Sequence, residues 1–235
     1  MMRKSVQPLR QIFGLLVLIM LAPLGWAEQS QSLAPEPTLM ARFVAGTHYE
    51  VLEIPVDTQD KSKVEVVEMF SYACIHCFNF DPYVKSWETR QPEDVDFRLV
   101  PAIFNQDWQL LAQAFYTAEA LGVTDAVHQR MFEGIHQKNE DLRQPTLLAP
   151  IFAELAEVKP DDFNAAYGSF SVRSRVQQAS ALARAYRITG VPTMIVNGKY
   201  RVDGKMAGGN AEMLQVVDFL VAQERAAAAA SSDAR

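Results

Sequence analysis

The chain has 235 residues, of which 49% are hydrophobic and 21% charged, and its formal net charge at pH 7 is −6. A chain of this size and composition can bury a substantial core and suits one or two globular domains. An acidic chain without a basic run is poorly matched to a phosphate backbone, so we expect no nucleic acid partner.

The first 27 residues have the three-part pattern of a secretory signal peptide. Basic residues precede an apolar run at 12–24, and small residues follow in Gly25-Trp26-Ala27. The run is short for a helix that crosses a bilayer, and an uncleaved membrane anchor is the alternative interpretation. We therefore interpret 1–27 as a signal peptide and expect an exported mature chain that begins near Glu28.

The chain contains two cysteines, Cys74 and Cys77. Export permits disulfides, which cytosolic reductants would remove. A disulfide that closes so short a loop takes little entropy from the unfolded chain and is a weak stabiliser. Reactivity therefore explains the pair better than stability does, and an inert structural disulfide is the alternative.

The first half of the mature chain alternates strands with a helix. Residues 28–47, rich in Ser, Gln, Pro and Ala, predict an irregular lead-in. A short edge strand is predicted over 49–54, and the Val-rich run 63–70 predicts a second strand. A helix is expected from the cysteines towards Arg90, followed by a strand over 95–100. Strand, helix and strand at this spacing predict a right-handed crossover in a partly parallel sheet.

The middle of the chain changes character. Residues 107–186 have helical periodicity and hardly any strand pattern, which predicts an inserted helical subdomain over 104–188. Within it, Thr124 and Ser169 are expected to cap helices. Pro145 fits the first turn of another helix, where its missing N–H is not needed.

Strand patterns return after the insertion. Residues 193–196 and 200–202 predict two strands joined by an Asn-Gly turn, in which both residues tolerate positive φ. A last amphipathic helix follows. The final residues, 226–235, have no apolar stripe and are expected to form a flexible tail.

The segment Cys74-Ile75-His76-Cys77 lies between a predicted strand and a predicted helix. This spacing puts both sulfurs on one side of the first helical turn, close enough for a disulfide. Free N–H groups and the positive end of the helix dipole favour a thiolate at Cys74, and His76 can add a hydrogen bond or a charge. A thiol with a low pKa leaves readily and makes the disulfide a stronger oxidant, so the pattern favours disulfide donation.

Half of a structural zinc site is the metal alternative for the two cysteines. Such a site needs two more ligands. The remaining histidines (His48, His128 and His136) are not accompanied by a second Cys-x-x-Cys, so we expect no metal. We expect His128 and His136 on a solvated face of a helix instead.

Two further residues stand out beside predicted strands. Pro192 enters a strand in which it cannot donate a ladder hydrogen bond. A cis bond there would expose the backbone of Val191 to an extended substrate, although a trans proline is the more common case. Glu68 lies in a strand predicted to be buried, where it could exchange protons with Cys77. The alternative for Glu68 is an edge-strand acid with its carboxylate in water.

Three segments, in this order, resemble the DsbA family of bacterial periplasmic disulfide oxidases: EMFSYACIHC (68–77), YGSFSV (167–172) in the helical insertion, and GVPTMIVNGKY (190–200). The resemblance extends over nearly the whole mature chain. It implies an α/β protein with a thioredoxin fold, in which a thioredoxin-like domain over 48–103 and 189–225 is interrupted by the helical insertion.

The resemblance also implies roles for individual residues. The catalytic residues that it implies are Cys74, Cys77, His76, Pro192 and Glu68. Cys74 would be the exposed nucleophile and Cys77 its buried partner, with His76 tuning Cys74 and Glu68 lying beneath Cys77. Pro192 would be a cis proline facing the active site. Substrate would contact Val191 and Ile75.

The activity implied is the introduction of disulfides into unfolded, cysteine-bearing exported polypeptides, in the periplasm. A quinone-linked membrane oxidase like DsbB would reoxidise the protein, which would need no metal or organic cofactor; a monomer is the default. Ile75 departs from the family, which usually has proline there, and leaves the redox potential and the recycling partner open. A disulfide isomerase or reductase is one rival. A non-catalytic chaperone or a metal-delivery protein is the other.

Overall fold

The computed structural model describes residues 42–233, so the predicted signal peptide and most of the predicted lead-in lie outside the described residues. The strands are β1 (Glu50–Val51), β2 (Val64–Phe70), β3 (Val95–Pro101), β4 (Thr193–Val196) and β5 (Tyr200–Asp203). The helices are α1 (Ile75–Glu88), α2 (Gln106–Ala120), α3 (Thr124–His136), α4 (Pro145–Ala156), α5 (Pro160–Tyr167), α6 (Phe170–Ala185), α7 (Gly204–Ala207) and α8 (Asn210–Asp233). Within the described range no helix combines the length and hydropathy needed to cross a membrane.

The five strands form one mixed sheet in the order β1-β5-β4-β2-β3. β2 and β3 are parallel and connected through α1, whereas the other neighbouring strands are antiparallel. The partly parallel sheet predicted from the sequence is therefore confirmed. The predicted first strand also lies at the sheet edge, but it is reduced to two residues.

β2 is an interior strand that is buried along its whole length. Because successive side chains of a strand point to opposite faces, its residues contribute to two cores. Val64 and Val66 pack with residues of α1 and α8. Val67 and Met69 pack with residues of the helical insertion. The sheet is thus covered on both sides, and the residues that follow β2 emerge between the two layers.

The helical insertion predicted between the strands is confirmed, since α2 to α6 lie between β3 and β4. Pro145 is in the first turn of α4, and the Ser169 hydroxyl accepts a hydrogen bond from the Val172 N–H at the start of α6, as predicted. The prediction that Thr124 caps α3 is wrong. Thr124 lies inside the first turn because the carbonyl of Val123 already accepts hydrogen bonds from two helical N–H groups.

The flexible tail predicted for 226–235 is corrected over 226–233, because α8 continues to Asp233, and residues 234–235 lie outside the described residues. Met213, Leu220 and Val221 of this helix are buried in the core and anchor it. Once a helix is nucleated, each further residue adds a hydrogen bond at little cost, and alanine has the highest helix propensity. The alanine run 226–230 therefore extends the helix without an apolar stripe of its own.

Candidate active site

The two cysteines lie at the start of α1. Cys74 is the N-cap residue and half-buried, and Cys77 is fully buried in the first turn; both are free thiols. A tight turn leads from β2 into the helix. In that turn the Cys74 N–H donates to the Ser71 carbonyl at 3.0 Å, and the Ala73 N–H donates to the Ser71 hydroxyl at 3.2 Å. The helix N-terminus predicted for this motif is therefore present.

The surroundings of the two sulfurs push their pKa values apart. A hydrogen bond from the Cys77 thiol, the backbone N–H groups of Cys77 and His76, and the charge of His76 lower the pKa of Cys74 to about 6, against the opposing effect of partial burial. Burial, together with the hydrogen bond to Cys74 and the charge of Glu68, raises the pKa of Cys77. Cys74 is therefore the sulfur that ionises, and Cys77 holds its proton.

The segment around Pro192 is distant from the cysteines in the sequence but contacts Cys74 in the fold. The Val191–Pro192 peptide bond is cis. The Cys74 Sγ atom donates to the Val191 carbonyl oxygen at 3.4 Å. A cleft of about 460 Å³ lies beside this contact and is lined by His76, Val191 and Pro192 among others. The structure thus brings these predicted site residues together around one sulfur.

Ile75 and His76 lie between the cysteines and are both exposed. The Ile75 side chain is 45% exposed and adds an apolar surface next to Cys74. Ile75 is therefore accessible to a polypeptide that approaches the sulfur, as a substrate contact requires, and His76 lies beside Cys74, whose pKa its charge lowers.

Glu68 is 3% exposed and lies within β2, paired with Leu99 of β3 on one side and Met194 of β4 on the other. The alternative of an edge-strand acid in water is therefore wrong. Burial, and then the charges of Asp81 and Cys74, raise the pKa of Glu68 well above its usual value. Since Glu68 also raises the pKa of Cys77, the two groups interact. Proton exchange between them stays a prediction.

Sequence reasoning missed Asp81. This α1 residue is buried, and its carboxylate contacts Lys85 at 3.0 Å and His128 at 3.0 Å. Burial favours a higher pKa, but the hydrogen bonds and charges of His128 and Lys85 outweigh it and lower the pKa of Asp81. The signal was available: Asp81 follows Cys77 by four residues and precedes the buried Val84 by three, so it lies in the buried stripe of the helix.

The expectation that His128 and His136 lie on a solvated face is wrong. His128 is 5% exposed, and His136 is half-buried. His128 contacts the Tyr72 hydroxyl at 2.9 Å, and His136 contacts the Tyr72 carbonyl at 2.8 Å. The helix face that carries them turns towards the cysteine turn because Phe132, between them, is buried there against Tyr72. The spacing of His128, Phe132 and His136 at four-residue intervals was the signal.

No group of three or more His, Cys, Asp and Glu side chains in the described part of the chain is arranged to hold a metal ion. The residues near the sulfurs supply hydrogen bonds, charge and burial. These are the properties that control thiol ionisation and thiol–disulfide exchange.

Known proteins resemble the chain in sequence. The family profile described as "DSBA-like thioredoxin domain" matches residues 87–221. The thiol:disulfide interchange protein DsbA of Azotobacter vinelandii is 44% identical over 199 residues, which cover 85% of this chain and 90% of that protein. DsbA of Pseudomonas aeruginosa is 42% identical over 186 residues, covering 79% of this chain and 88% of the relative.

Solved structures agree with the fold. The crystal structure of Pseudomonas aeruginosa DsbA has a TM-score of 0.76 and 41% identity, and the match covers 80% of this chain and 97% of the other. The oxidoreductase DsbA from Xylella fastidiosa has a TM-score of 0.73 and 38% identity, with 78% and 98% covered. The thioredoxin-like fold with its helical insertion is therefore that of the solved DsbA structures.

Proposed function

The chain belongs to the DsbA family and is a thiol:disulfide oxidoreductase that introduces disulfides, and from this premise we propose how its residues perform the reaction. Cys74 is the nucleophile and the sulfur that substrate attacks, and Cys77 is its partner. The observation that carries this assignment is the contrast at the start of α1. Cys74 is half-exposed with its pKa lowered to about 6, whereas Cys77 is buried with its pKa raised.

The reaction begins with the Cys74–Cys77 disulfide. A substrate thiolate attacks the Cys74 sulfur because the Cys77 sulfur is buried. A bond forms between the substrate sulfur and Cys74, the bond between the two cysteines breaks, and Cys77 leaves with the electron pair. Cys77 then takes up a proton, as its raised pKa requires. We propose Glu68, whose pKa is also raised by burial, as the group that exchanges this proton.

In the second step another substrate thiolate attacks the substrate sulfur of the mixed disulfide. The substrate disulfide forms and Cys74 leaves as a thiolate. The substrate loses two electrons, and the cysteine pair gains them. The lowered pKa of Cys74 speeds its departure and stabilises the reduced protein, so equilibrium favours donation of the disulfide.

The chemistry of the site indicates the substrate. The exposed Ile75 side chain offers an apolar contact, and the cleft beside Val191 and Pro192 is open to an extended backbone. We propose that the substrates are unfolded exported polypeptides with cysteines, oxidised in the periplasm by a monomeric protein without metal or organic cofactor. A quinone-linked membrane oxidase of the DsbB kind would accept the two electrons and restore the disulfide.

A reduced peptide with two cysteines tests the assignment. One equivalent of the oxidised protein should convert one equivalent of the peptide to its disulfide form, as measured by mass spectrometry. Cys74→Ser should abolish this conversion. Cys77→Ser has no disulfide to donate, so its probe is a one-cysteine peptide whose sulfur is activated as a disulfide with thionitrobenzoate. The Cys74 thiolate should displace thionitrobenzoate and leave a mixed disulfide with the peptide, visible on a non-reducing gel, because no Cys77 thiol is present to release the peptide. Peptide oxidation by the Cys74→Ser protein would overturn the proposal.

A further inference from the structure

We propose that His136, on helix α3 of the insertion, is a positioning residue for Cys74 that acts through the backbone of Tyr72. The inference rests on the proposed role of Cys74 and adds a residue from outside the thioredoxin-like part. The helical insertion then sets the chemistry of the sulfur in addition to covering the sheet.

His136 contacts one residue before the cysteine motif and one residue after it. Its Nε2 atom lies 2.8 Å from the Tyr72 carbonyl oxygen, and since a carbonyl only accepts, Nε2 carries the proton and donates. The His136 ring also stacks on Phe78, with centroids 5.4 Å apart and an interplanar angle of 20°. Tyr72 precedes Cys74 by two residues, and Phe78 follows Cys77 directly. One side chain of the insertion therefore contacts both flanks of the motif.

The side chain of Tyr72 is held independently by the same helix. Burial raises the pKa of Tyr72 well above its usual value, so the hydroxyl keeps its proton, and it is hydrogen-bonded to Nδ1 of His128 at 2.9 Å. His128 in turn donates from Nε2 to the Asp81 carboxylate at 3.0 Å. Two histidines of α3 thus hold Tyr72 at its hydroxyl and at its carbonyl, while Asp81 ties the same network to α1.

The position of the Tyr72 carbonyl matters because Tyr72 lies inside the turn that delivers Cys74. Ser71, before it, accepts hydrogen bonds from the N–H groups of Ala73 and Cys74. The pKa of Cys74 depends on hydrogen bonds from Cys77 and His76 to its sulfur, and hydrogen bonds weaken steeply with misalignment. Without the His136 donor, a buried carbonyl lacks its partner and the turn must shift to satisfy it.

Two variants separate the hydrogen bond from the packing. His136→Phe keeps an aromatic ring against Phe78 but removes the donor, whereas His136→Gln keeps a donor in reach of the Tyr72 carbonyl but removes the ring. His136 is half-buried, so neither change opens a core cavity. His48→Phe is the matched control, because His48 lies near the N-terminal end of the described chain and accepts from the Val44 N–H.

The readouts are the ultraviolet titration of the Cys74 thiolate and the redox equilibrium with glutathione, both measured with the full mature chain. His136→Phe should raise the Cys74 midpoint by about 0.5 unit, which is roughly a threefold shift of the equilibrium towards the oxidised protein. The Cys74 midpoint and the glutathione equilibrium of His136→Gln and of His48→Phe should stay close to those of the parent protein. Thermal unfolding of each variant checks that the fold is kept.

Two results would overturn the proposal: a parental midpoint in His136→Phe, or an equal shift in His136→Gln and His136→Phe. A purely structural role would lower the unfolding temperature without moving the midpoint. Neither readout uses substrate oxidation. If the parent protein failed to oxidise the peptide, the proposed function would fail, while the comparison among the variants would still decide the role of His136.

Discussion

The Cys74 thiol donates a hydrogen bond to the carbonyl oxygen of Val191 across 3.4 Å, although the two residues are 117 positions apart in the chain. A thiolate has no proton to donate, so ionisation of Cys74 breaks this bond. The Val191 carbonyl is then free to accept from the backbone N–H of an extended polypeptide, as in strand addition. Ionisation of the reduced sulfur therefore also frees a backbone acceptor beside it.

The first prediction concerns the pH dependence of the reduced protein. Cys74 should titrate with a midpoint near pH 6, followed by the ultraviolet absorbance of its thiolate. In the unfolded chain a cysteine ionises near its ordinary pKa of 9.0, so folding favours the Cys74 thiolate. This contribution to stability is fully present above about pH 9 and is lost as the pH falls through about 6.

The unfolding temperature of the reduced protein should rise relative to that of the oxidised protein as the pH increases from 6 to 9. Cys74→Ser is the control and should lack the absorbance change below pH 9, since Cys77 keeps its proton. A Cys74 midpoint equal to that of a free cysteine would contradict the assignment of the oxidising sulfur.

The second prediction concerns Glu68. Its pKa in the folded protein is raised well above the ordinary value of 4.5, so its contribution to stability is fully present below about pH 4.5 and is lost as the pH rises through the raised pKa. Glu68→Gln should therefore match the parent protein in acid and exceed it near pH 7 by about 1–3 kcal/mol in free energy of unfolding.

Urea unfolding at several pH values measures this difference. Glu93→Gln changes an exposed acid and should stay within about 0.5 kcal/mol of the parent throughout. A pH-independent effect of Glu68→Gln would show that the buried carboxyl is not the titrating group.

The third prediction contrasts two residues at the starts of helices. Ser169→Ala should lower the free energy of unfolding by about 1 kcal/mol, because its hydroxyl satisfies the Val172 N–H at 3.1 Å. Thr124→Ala should cost less, since Thr124 makes no capping hydrogen bond to α3. Urea midpoints of the two variants give the comparison directly, and an equal loss would mean that Thr124 caps α3 in solution.

The fourth prediction concerns the apolar contact offered by Ile75. Replacing Ile75 by Ser should raise KM for an apolar, cysteine-bearing peptide by roughly fivefold, equivalent to about 1 kcal/mol of lost burial. The Cys74 midpoint should not move, since no part of the Ile75 side chain is among the causes that lower it.

Ile54→Ser is the matched control for this change. Ile54 is 74% exposed and follows β1, at the opposite edge of the sheet order from the β2–β3 pair. The control should leave KM unchanged. An equal rise of KM in both variants would mean that general surface hydrophobicity, rather than a contact beside Cys74, determines peptide binding.

Prediction from sequence succeeded where the determining interactions are local. The strand before the cysteines, the helix after them and the Asn-Gly hairpin each depend on residues within a few positions of one another. It failed at Thr124, because the carbonyl of the preceding residue, Val123, already begins α3. It also failed in the alanine run at the end of α8, because a helix that is already nucleated continues through residues without an apolar stripe.

By itself, the sequence determined which sulfurs are the candidates for thiol–disulfide exchange, because a helix that begins at a Cys-x-x-Cys provides N–H donors and a positive dipole end beside the first cysteine. Only the tertiary structure decided what surrounds them. The burial of Glu68, the network of His128, His136 and Tyr72, and the meeting of Val191 with Cys74 all arise from packing between distant segments. Burial and long-range hydrogen bonding depend on which elements share a core, a relationship that no single stretch of sequence encodes.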